Sequence, residues 1–149
     1  MTCSSMMQVA VEPVFSWPTR VYWEDTDAGG VVYHAQYLAF LERARTEWMR
    51  AQGHGQDHLR NEHDLVFAVR AMQIDFRLPA RLDDALQVSV ALRECRRASL
   101  VLAQEIRRDG ELLLDAQVRV AALSASRFKP VAIPQPLFDA LNRLVETPA

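Results

Sequence analysis

The chain has 149 residues, half of them hydrophobic and 24% charged, and its formal net charge is −2 at pH 7. This length suits one domain whose core is large enough to fold without a metal or a disulfide framework. The absence of a basic excess argues against a nucleic-acid surface, so we expect no nucleic-acid partner. The two cysteines, Cys3 and Cys95, have neither a metal-binding nor a redox spacing.

The N-terminal segment lacks the basic start of a secretory signal, because its first cation is Arg20. No apolar run approaches the roughly 18–20 residues that cross a bilayer. Two distant cysteines fit a reducing compartment. We therefore expect a cytoplasmic protein without a transmembrane segment.

Residues 1–16 are predicted to form a loose N-terminal tail, and residues 17–149 a single domain. Aromatic and β-branched residues predict a strand from Trp17 to Trp23. Residues 24–30 then contain acidic side chains and the pair Gly29-Gly30, a composition that predicts a tight turn.

The next segment, from about Ala35 to Gln52, is predicted to be the longest helix. Its apolar residues recur at helical spacing and form one stripe, made of Tyr37, Phe40, Leu41, Ala44 and Trp48. Gly53 stands where a helix would end. A short polar helical turn is predicted at about 55–63.

Four segments of alternating apolar and polar residues follow, near residues 66–76, 86–93, 98–108 and 112–120. Period-2 alternation predicts strands with one buried face, and the short links, including Asp109-Gly110, predict a β-meander. A small amphipathic helix is predicted at 137–145. One long helix against an antiparallel sheet makes a two-layer α+β domain. We predict the hotdog fold, a five-stranded antiparallel sheet wrapped around one long central helix.

Several catalytic motifs do not occur in the sequence. The five glycines make neither a dinucleotide-binding nor a phosphate-binding loop, and no serine lies in a nucleophile elbow. One cluster has metal-like composition: His54, His58 and His63 with Asp57 and Glu62. His54 and His58 are four residues apart, as on one helical face. The alternative interpretation, a solvated polar turn, is the one we favour, so we expect no metal.

The segment from Tyr22 to Tyr37 contains the residues most suited to chemistry. It joins a strand to the start of the long helix, where free backbone N–H groups and a partial positive charge can hold an oxyanion. Asp27 precedes the two glycines, and His34 lies at the helix entrance. A carboxylate, an imidazole and free amides within a few residues suit attack on a carbonyl. Taken alone, Asp27 is better explained as a turn or capping residue and His34 as a helix-entry residue, but the whole run changes that balance.

The run from Arg20 to His34, followed by Tyr37 and residues 42–47, resembles the signature of the 4-hydroxybenzoyl-CoA thioesterase-like hotdog family. Residues 79–84 and 97–100 extend the likeness, which covers about residues 18–135. Within that family it resembles the acyl-CoA thioesterase branch associated with the Tol–Pal cell-envelope system. Trp23 departs from the pattern, in which many relatives have tyrosine.

The resemblance implies an acyl-CoA substrate, with Asp27 as the catalytic aspartate, Asp25 as its support and His34 as the donor of a backbone N–H to the thioester oxygen. It implies no metal or redox cofactor, since coenzyme A is part of the substrate. It further implies a homodimer or homotetramer with the site between subunits. Predicted substrate contacts are Gly30, Val32, Tyr33, Tyr37, Arg96, Arg97 and Ser99, and Arg127 and Lys129 are further candidate cations for the CoA phosphates.

The mechanism stays open at this level, because Asp27 can act as nucleophile or as general base on water. Also open are the acyl-chain preference and the carrier, CoA or an acyl-carrier protein. Alternative functions are a hotdog hydratase or dehydratase, and a non-catalytic acyl-CoA or acyl-carrier-protein binding module for envelope assembly. Release of free thiol distinguishes hydrolysis from both.

Overall fold

The computed structural model describes residues 14–145. Within this range the strands are β1 (Phe15–Arg20), β2 (Leu65–Phe76), β3 (Ala85–Cys95), β4 (Ser99–Arg108) and β5 (Glu111–Ser124). The helices are α1 (Gln36–Ala51), α2 (Gln56–His63) and α3 (Gln135–Asn142), and a 3₁₀ turn spans Trp23–Asp25. Most of the predicted tail, residues 1–13, lies outside the described residues. The first strand begins at Phe15, two residues earlier than predicted, and ends before Val21.

The five strands form one antiparallel sheet in the order β1-β3-β4-β5-β2. The predicted meander is correct for β3, β4 and β5, but the implied pairing of β2 with β3 is wrong. β2 pairs along its whole length with β5 instead, so β1 and β2 are the two edge strands. The residues between β2 and β3 cross the end of the sheet, beginning where Arg77 and Leu78 both donate to the carbonyl of Leu113.

α1 packs across β1 and β3 and buries the predicted apolar stripe. Phe40, Leu41 and Ala44 have no solvent exposure, because they face the inward side chains of the sheet. Burying a side chain as large as that of Phe40 or Leu41 contributes about 1.5–3 kcal/mol. The two-layer arrangement agrees with the predicted hotdog architecture.

The β4–β5 hairpin confirms the prediction at Asp109-Gly110. Both residues have positive φ, 51° and 82°, as a tight two-residue turn between twisted strands requires. Among residues 14–145, no helix combines the length and apolar character needed to cross a membrane.

Candidate active site

The loop between β1 and α1 contains two aspartates, Asp25 and Asp27, that lie in different environments. Asp25 is buried, and its carboxylate accepts hydrogen bonds from the N–H of Tyr22 and from Nε2 of Gln36, both at 2.8 Å. These two bonds tie the 3₁₀ turn to the first residue of α1. Asp27 follows after the chain has turned, and its side chain is exposed.

The carboxylate of Asp27 is held at one oxygen. Oδ1 accepts the N–H of Gly29 at 2.8 Å, whereas Oδ2 has no hydrogen-bond partner among the residues the structure describes. A Cβ at position 29 would lie 3.2 Å from Oδ1, so glycine leaves room for this bond. Gly30 has φ +80°, a conformation that favours glycine, and its N–H donates to the carbonyl of Asp27. The turn thus orients Asp27 and leaves one of its oxygens open.

The backbone at His34 offers an unused donor. Around it, Tyr33 donates its N–H to the carbonyl of Asp25, and Gln36 donates to the carbonyl of Tyr33. Within residues 14–145, the N–H of His34 has no acceptor. The exposed imidazole lies beside the ring of Tyr33, with ring centroids 4.6 Å apart. The free amide therefore comes just before α1, at the helix entrance where the sequence analysis placed His34.

The link between β2 and β3 forms the floor beneath this loop. Val32 donates its N–H to the carbonyl of Ala80 at 2.9 Å, and Val31 forms a β-bridge with Arg81. Arg108 fixes the link by contacting the carbonyl of Pro79 at 3.2 Å and Oδ2 of Asp84 at 2.7 Å.

Tyr37 connects α1 to that floor. Its hydroxyl accepts the N–H of Ala80 at 3.0 Å, and the side chain is buried in the core. Burial raises the pKa of Tyr37, and the negative charges of Asp84 and Asp27 act in the same direction, against the Ala80 hydrogen bond and Arg108. Tyr37 was predicted as a substrate contact; the structure places it among core residues, and a contact with substrate stays a prediction.

The other predicted contacts divide into two groups. Gly30, Val32 and Tyr33 lie in the Asp27 loop, where Val32 is buried and Tyr33 is exposed. Arg96, Arg97 and Ser99 lie at the β3–β4 turn, at the opposite end of the sheet, as do the further candidate cations Arg127 and Lys129.

The cations at this far end differ in their partners. Arg96 forms an ion pair with Glu94 at 3.2 Å. The guanidinium of Arg97 has no ion-pair partner within the part of the chain that the structure describes. The neighbouring turn at residues 124–127 is fixed by Asp64, whose carboxylate accepts the hydroxyls of Ser124 and Ser126 at 2.8 and 2.7 Å.

The histidine cluster stays on the surface around α2. The rings of His58 and His63 lie 5.5 Å apart, and both residues are exposed. Among residues 14–145, no group of three or more histidine, cysteine, aspartate or glutamate side chains has the arrangement to hold a metal ion.

Three polar contacts were missed by the sequence analysis. Two lie at the site, Gln36 on Asp25 and the Tyr37 hydroxyl on Ala80. The third lies farther along α1, where Gln104 contacts Arg45 and the carbonyl of Leu41. Only Gln104 left a signal. It stands between Leu102 and Ile106 at an inward position of an alternating strand, where a polar residue needs partners inside the protein. The structure supplies them from Arg45, at 3.0 Å, and from the carbonyl of Leu41, at 3.1 Å.

Comparison with known proteins agrees with this geometry. The model of the thioesterase-like superfamily matches residues 21–141. Acyl-CoA thioesterase YbgC of Haemophilus influenzae is 45% identical over 130 residues, covering 87% of this chain and 96% of that protein. Acyl-CoA thioester hydrolase YbgC of Escherichia coli O6:H1 is 46% identical over 123 residues, covering 82% of this chain and 91% of that protein.

Among solved structures, a probable thioesterase from Bartonella henselae superposes with a TM-score of 0.78 at 34% identity, over 82% of this chain and 100% of that one. The match to residues 21–141 covers both the sheet and the Asp27 loop. The chain therefore belongs to the thioesterase-like superfamily, within the hotdog fold.

Proposed function

We propose that the protein is an acyl-CoA thioesterase, which hydrolyses acyl-CoA thioesters to the free acid and CoA. The support comes from relatives of that name at 45–46% identity. The observation that carries the proposal is the open Oδ2 of Asp27 in the same loop as the unpaired N–H of His34.

In the proposed reaction the thioester carbonyl oxygen accepts the N–H of His34. Negative charge develops on this oxygen as the carbonyl carbon becomes tetrahedral, and a fixed amide stabilises it without reorganisation. Loss of one such donor typically costs about 10²–10³ in rate. We further propose that the exposed imidazole of His34, which lies beside the ring of Tyr33, assists proton transfer in the reaction.

Asp27 has two chemically complete roles. As a nucleophile, Oδ2 bonds to the carbonyl carbon, the C–S bond breaks, the CoA thiolate takes a proton, and water then hydrolyses the mixed anhydride. As a general base, Asp27 removes a proton from water, and the hydroxide so formed displaces the thiolate. Repeated turnover in heavy-oxygen water distinguishes them, because only the nucleophilic route places label in the Asp27 carboxylate.

The first test is D27N, assayed by thiol release with a thiol-reactive dye. Asparagine is a far weaker nucleophile and base, so we expect activity to fall at least about 10²-fold with an unchanged thermal midpoint. D109N is the matched control, because Asp109 is exposed at the β4–β5 turn and asparagine tolerates its left-handed backbone. Near-normal thiol release by D27N would remove Asp27 from the reaction.

We further propose that the CoA phosphates bind at the sheet end containing Arg96, Arg97 and Ser99. β3 has 11 residues and joins this end to the Asp27 end. At about 3.4 Å per residue the two ends are roughly 34 Å apart. One protomer therefore does not bring both groups to one substrate, whereas an antiparallel two-fold dimer places the far end of one subunit beside the Asp27 loop of the other.

The edge strand β2 favours that dimer. It has 12 residues, pairs with β5 on one side, and leaves its other edge unpaired within the described chain. A long free edge of this kind is a ready site for pairing with a second copy. We propose that the catalytic unit is a homodimer, which exists alone or as half of a homotetramer. Analytical sedimentation tests this by measuring the mass of the assembly.

The remaining proposals concern conditions and context. We propose that the reaction needs no metal or redox cofactor, so a chelator should leave thiol release unchanged.

Acyl-CoA and acyl-carrier-protein substrates are to be compared, because both present the thioester on the same kind of arm. The family resemblance is also the basis for proposing a cytoplasmic location and a link to the Tol–Pal system, which fractionation and an envelope-integrity assay of a deletion strain test.

A further inference from the structure

The turn that follows β5 contains an aromatic residue in a backbone conformation that does not favour it. Phe128 has φ 57°, in the left-handed region, where a bulky residue is an outlier and glycine or asparagine is common. Its side chain is 69% exposed, so burial contributes little to offset the backbone strain. Neither backbone preference nor core packing accounts for a phenylalanine here. Strained residues of this kind are concentrated at functional sites.

Hydrogen bonds within the turn fix the position of Phe128. Its N–H donates to the carbonyl of Ser124 at 2.7 Å, and Ser124 donates its own N–H to the carbonyl of Lys129 at 2.8 Å. The hydroxyl of Ser124 donates to the carboxylate of Asp64, which also accepts the N–H and the hydroxyl of Ser126. The turn is therefore held from both sides, and the ring of Phe128 stays at the surface.

Three cations lie at the same end of the sheet. Arg127 and Lys129 flank Phe128 in the sequence, and both are exposed. The chain then returns to the β3–β4 turn, where Ile133 donates its N–H to the carbonyl of the exposed Arg97 at 2.7 Å. Within the part of the chain that the structure describes, none of the three cations forms an ion pair. Their charges are available to an anionic ligand.

An exposed ring beside three such cations suits a ligand that combines a flat base with phosphates. Bases stack on aromatic faces, and guanidinium and ammonium groups bind phosphate. CoA has both parts, because it ends in an adenosine that carries phosphates on its ribose. We propose that Phe128 stacks on the adenine of CoA while Arg97, Arg127 and Lys129 hold the phosphates. The inference rests on the proposed function and deepens it. In the proposed dimer, Phe128 of one subunit serves the Asp27 loop of the other.

Two other occupants of this surface are disfavoured by charge. A single-stranded nucleic acid also uses stacking and cations, but it needs a positive groove that follows several nucleotides, and this chain has a net charge of −2. A second copy that met this surface about a two-fold axis would bring the same cations together, and like charges repel. One ring and three cations match a single nucleotide.

The test compares ligands that differ in their nucleotide. F128A removes the ring, and loss of one base–aromatic stack costs about 5- to 150-fold in affinity. We expect the Kd of CoA, measured by titration calorimetry, to rise at least about fivefold. The Kd of dephospho-CoA, which keeps the adenine and lacks the ribose phosphate, should rise by the same factor. The KM of an acyl-pantetheine substrate, which lacks the nucleotide, should not change. F128W keeps a stacking surface and should bind CoA as the wild type does.

F128G separates binding from a structural role of the ring. Glycine adopts the left-handed backbone without strain, so the thermal midpoint should stay or rise while the Kd of CoA rises as in F128A. A lower thermal midpoint in F128G, or an equal loss with acyl-pantetheine, overturns the inference. So does a change in assembly mass on F128A, or a single-stranded oligonucleotide that binds and is not displaced by CoA.

Calorimetry of CoA needs no turnover, so the two proposals fail in different ways. A wild type that releases thiol from acyl-CoA, and whose affinity for CoA is unchanged by F128A, contradicts this inference alone. A wild type that neither binds CoA nor releases thiol contradicts the proposed function as well.

Discussion

The hydroxyl of Tyr37 supports the Asp27 loop through three successive hydrogen bonds. It accepts the N–H of Ala80 at 3.0 Å, the carbonyl of Ala80 accepts the N–H of Val32 at 2.9 Å, and the carbonyl of Val31 accepts the N–H of Asp27 at 2.9 Å. Ala80 is fully buried. Y37F removes the first acceptor and leaves a buried N–H that water does not reach.

The expected cost follows from what the substitution changes. The ring stays packed against Phe40 and Phe76, with centroids 6.1 and 5.8 Å away, so the apolar contribution is retained. An unsatisfied buried donor costs about 1–3 kcal/mol. For a domain of this size each kcal/mol lowers the thermal midpoint by about 2–4 °C. We therefore expect a lower unfolding free energy, faster amide exchange at Ala80 and Val32, and reduced kcat with a smaller change in KM.

Urea unfolding and hydrogen-exchange mass spectrometry measure the two structural effects. Y33F is the matched control, because the Tyr33 side chain is exposed and its hydroxyl makes no hydrogen bond among residues 14–145. If Y37F matches Y33F within about 0.5 kcal/mol, the hydroxyl does not hold the loop.

Three further predictions follow from other contacts. D25N removes one of two acceptors from a buried site, so unfolding free energy should fall by about 1–3 kcal/mol, and exchange at residues 22–27 should accelerate; unchanged exchange contradicts this. Hydrogen bonds from Ser126 and Ser124 hold the pKa of Asp64 below its usual value of 3.8. Its stabilisation is therefore present at neutral pH and lost as the pH falls below about 4, and D64N should show a flatter acid dependence in urea unfolding. R97A should raise KM for acyl-CoA about tenfold at constant kcat and leave an acyl-pantetheine substrate, which lacks the nucleotide phosphates, unaffected.

Local patterns predicted the elements well. The stripe from Tyr37 to Trp48 located α1 to within a residue at each end, because burial against a sheet imposes a single apolar face. Asp109-Gly110 located its hairpin, because few residue pairs tolerate two positive φ values. Both features depend on neighbours in sequence.

Features that depend on contacts between residues far apart in the sequence could not be predicted from local patterns. The alternation of apolar and polar residues shows that β2 has a buried face. It does not show whether β3 or β5 pairs with β2. The Tyr37–Ala80 hydrogen bond joins residues 43 positions apart, and neither residue type indicates such a contact. For the site, the sequence located the loop and its two aspartates. Which aspartate faces inward depends on the 3₁₀ turn at Trp23–Asp25, where a strand was expected to reach Trp23.

The two hydrogen bonds of Asp25 have a mechanical consequence. One joins the carboxylate to the start of the 3₁₀ turn and the other to the first residue of α1, so the turn and the helix are tied together through one buried side chain. We therefore expect a shift of the first turn of α1 to move the 3₁₀ turn and the Asp27 loop that follows it. The position of the Asp27 carboxylate then depends on how α1 packs on the sheet, although those packing contacts lie farther along the helix.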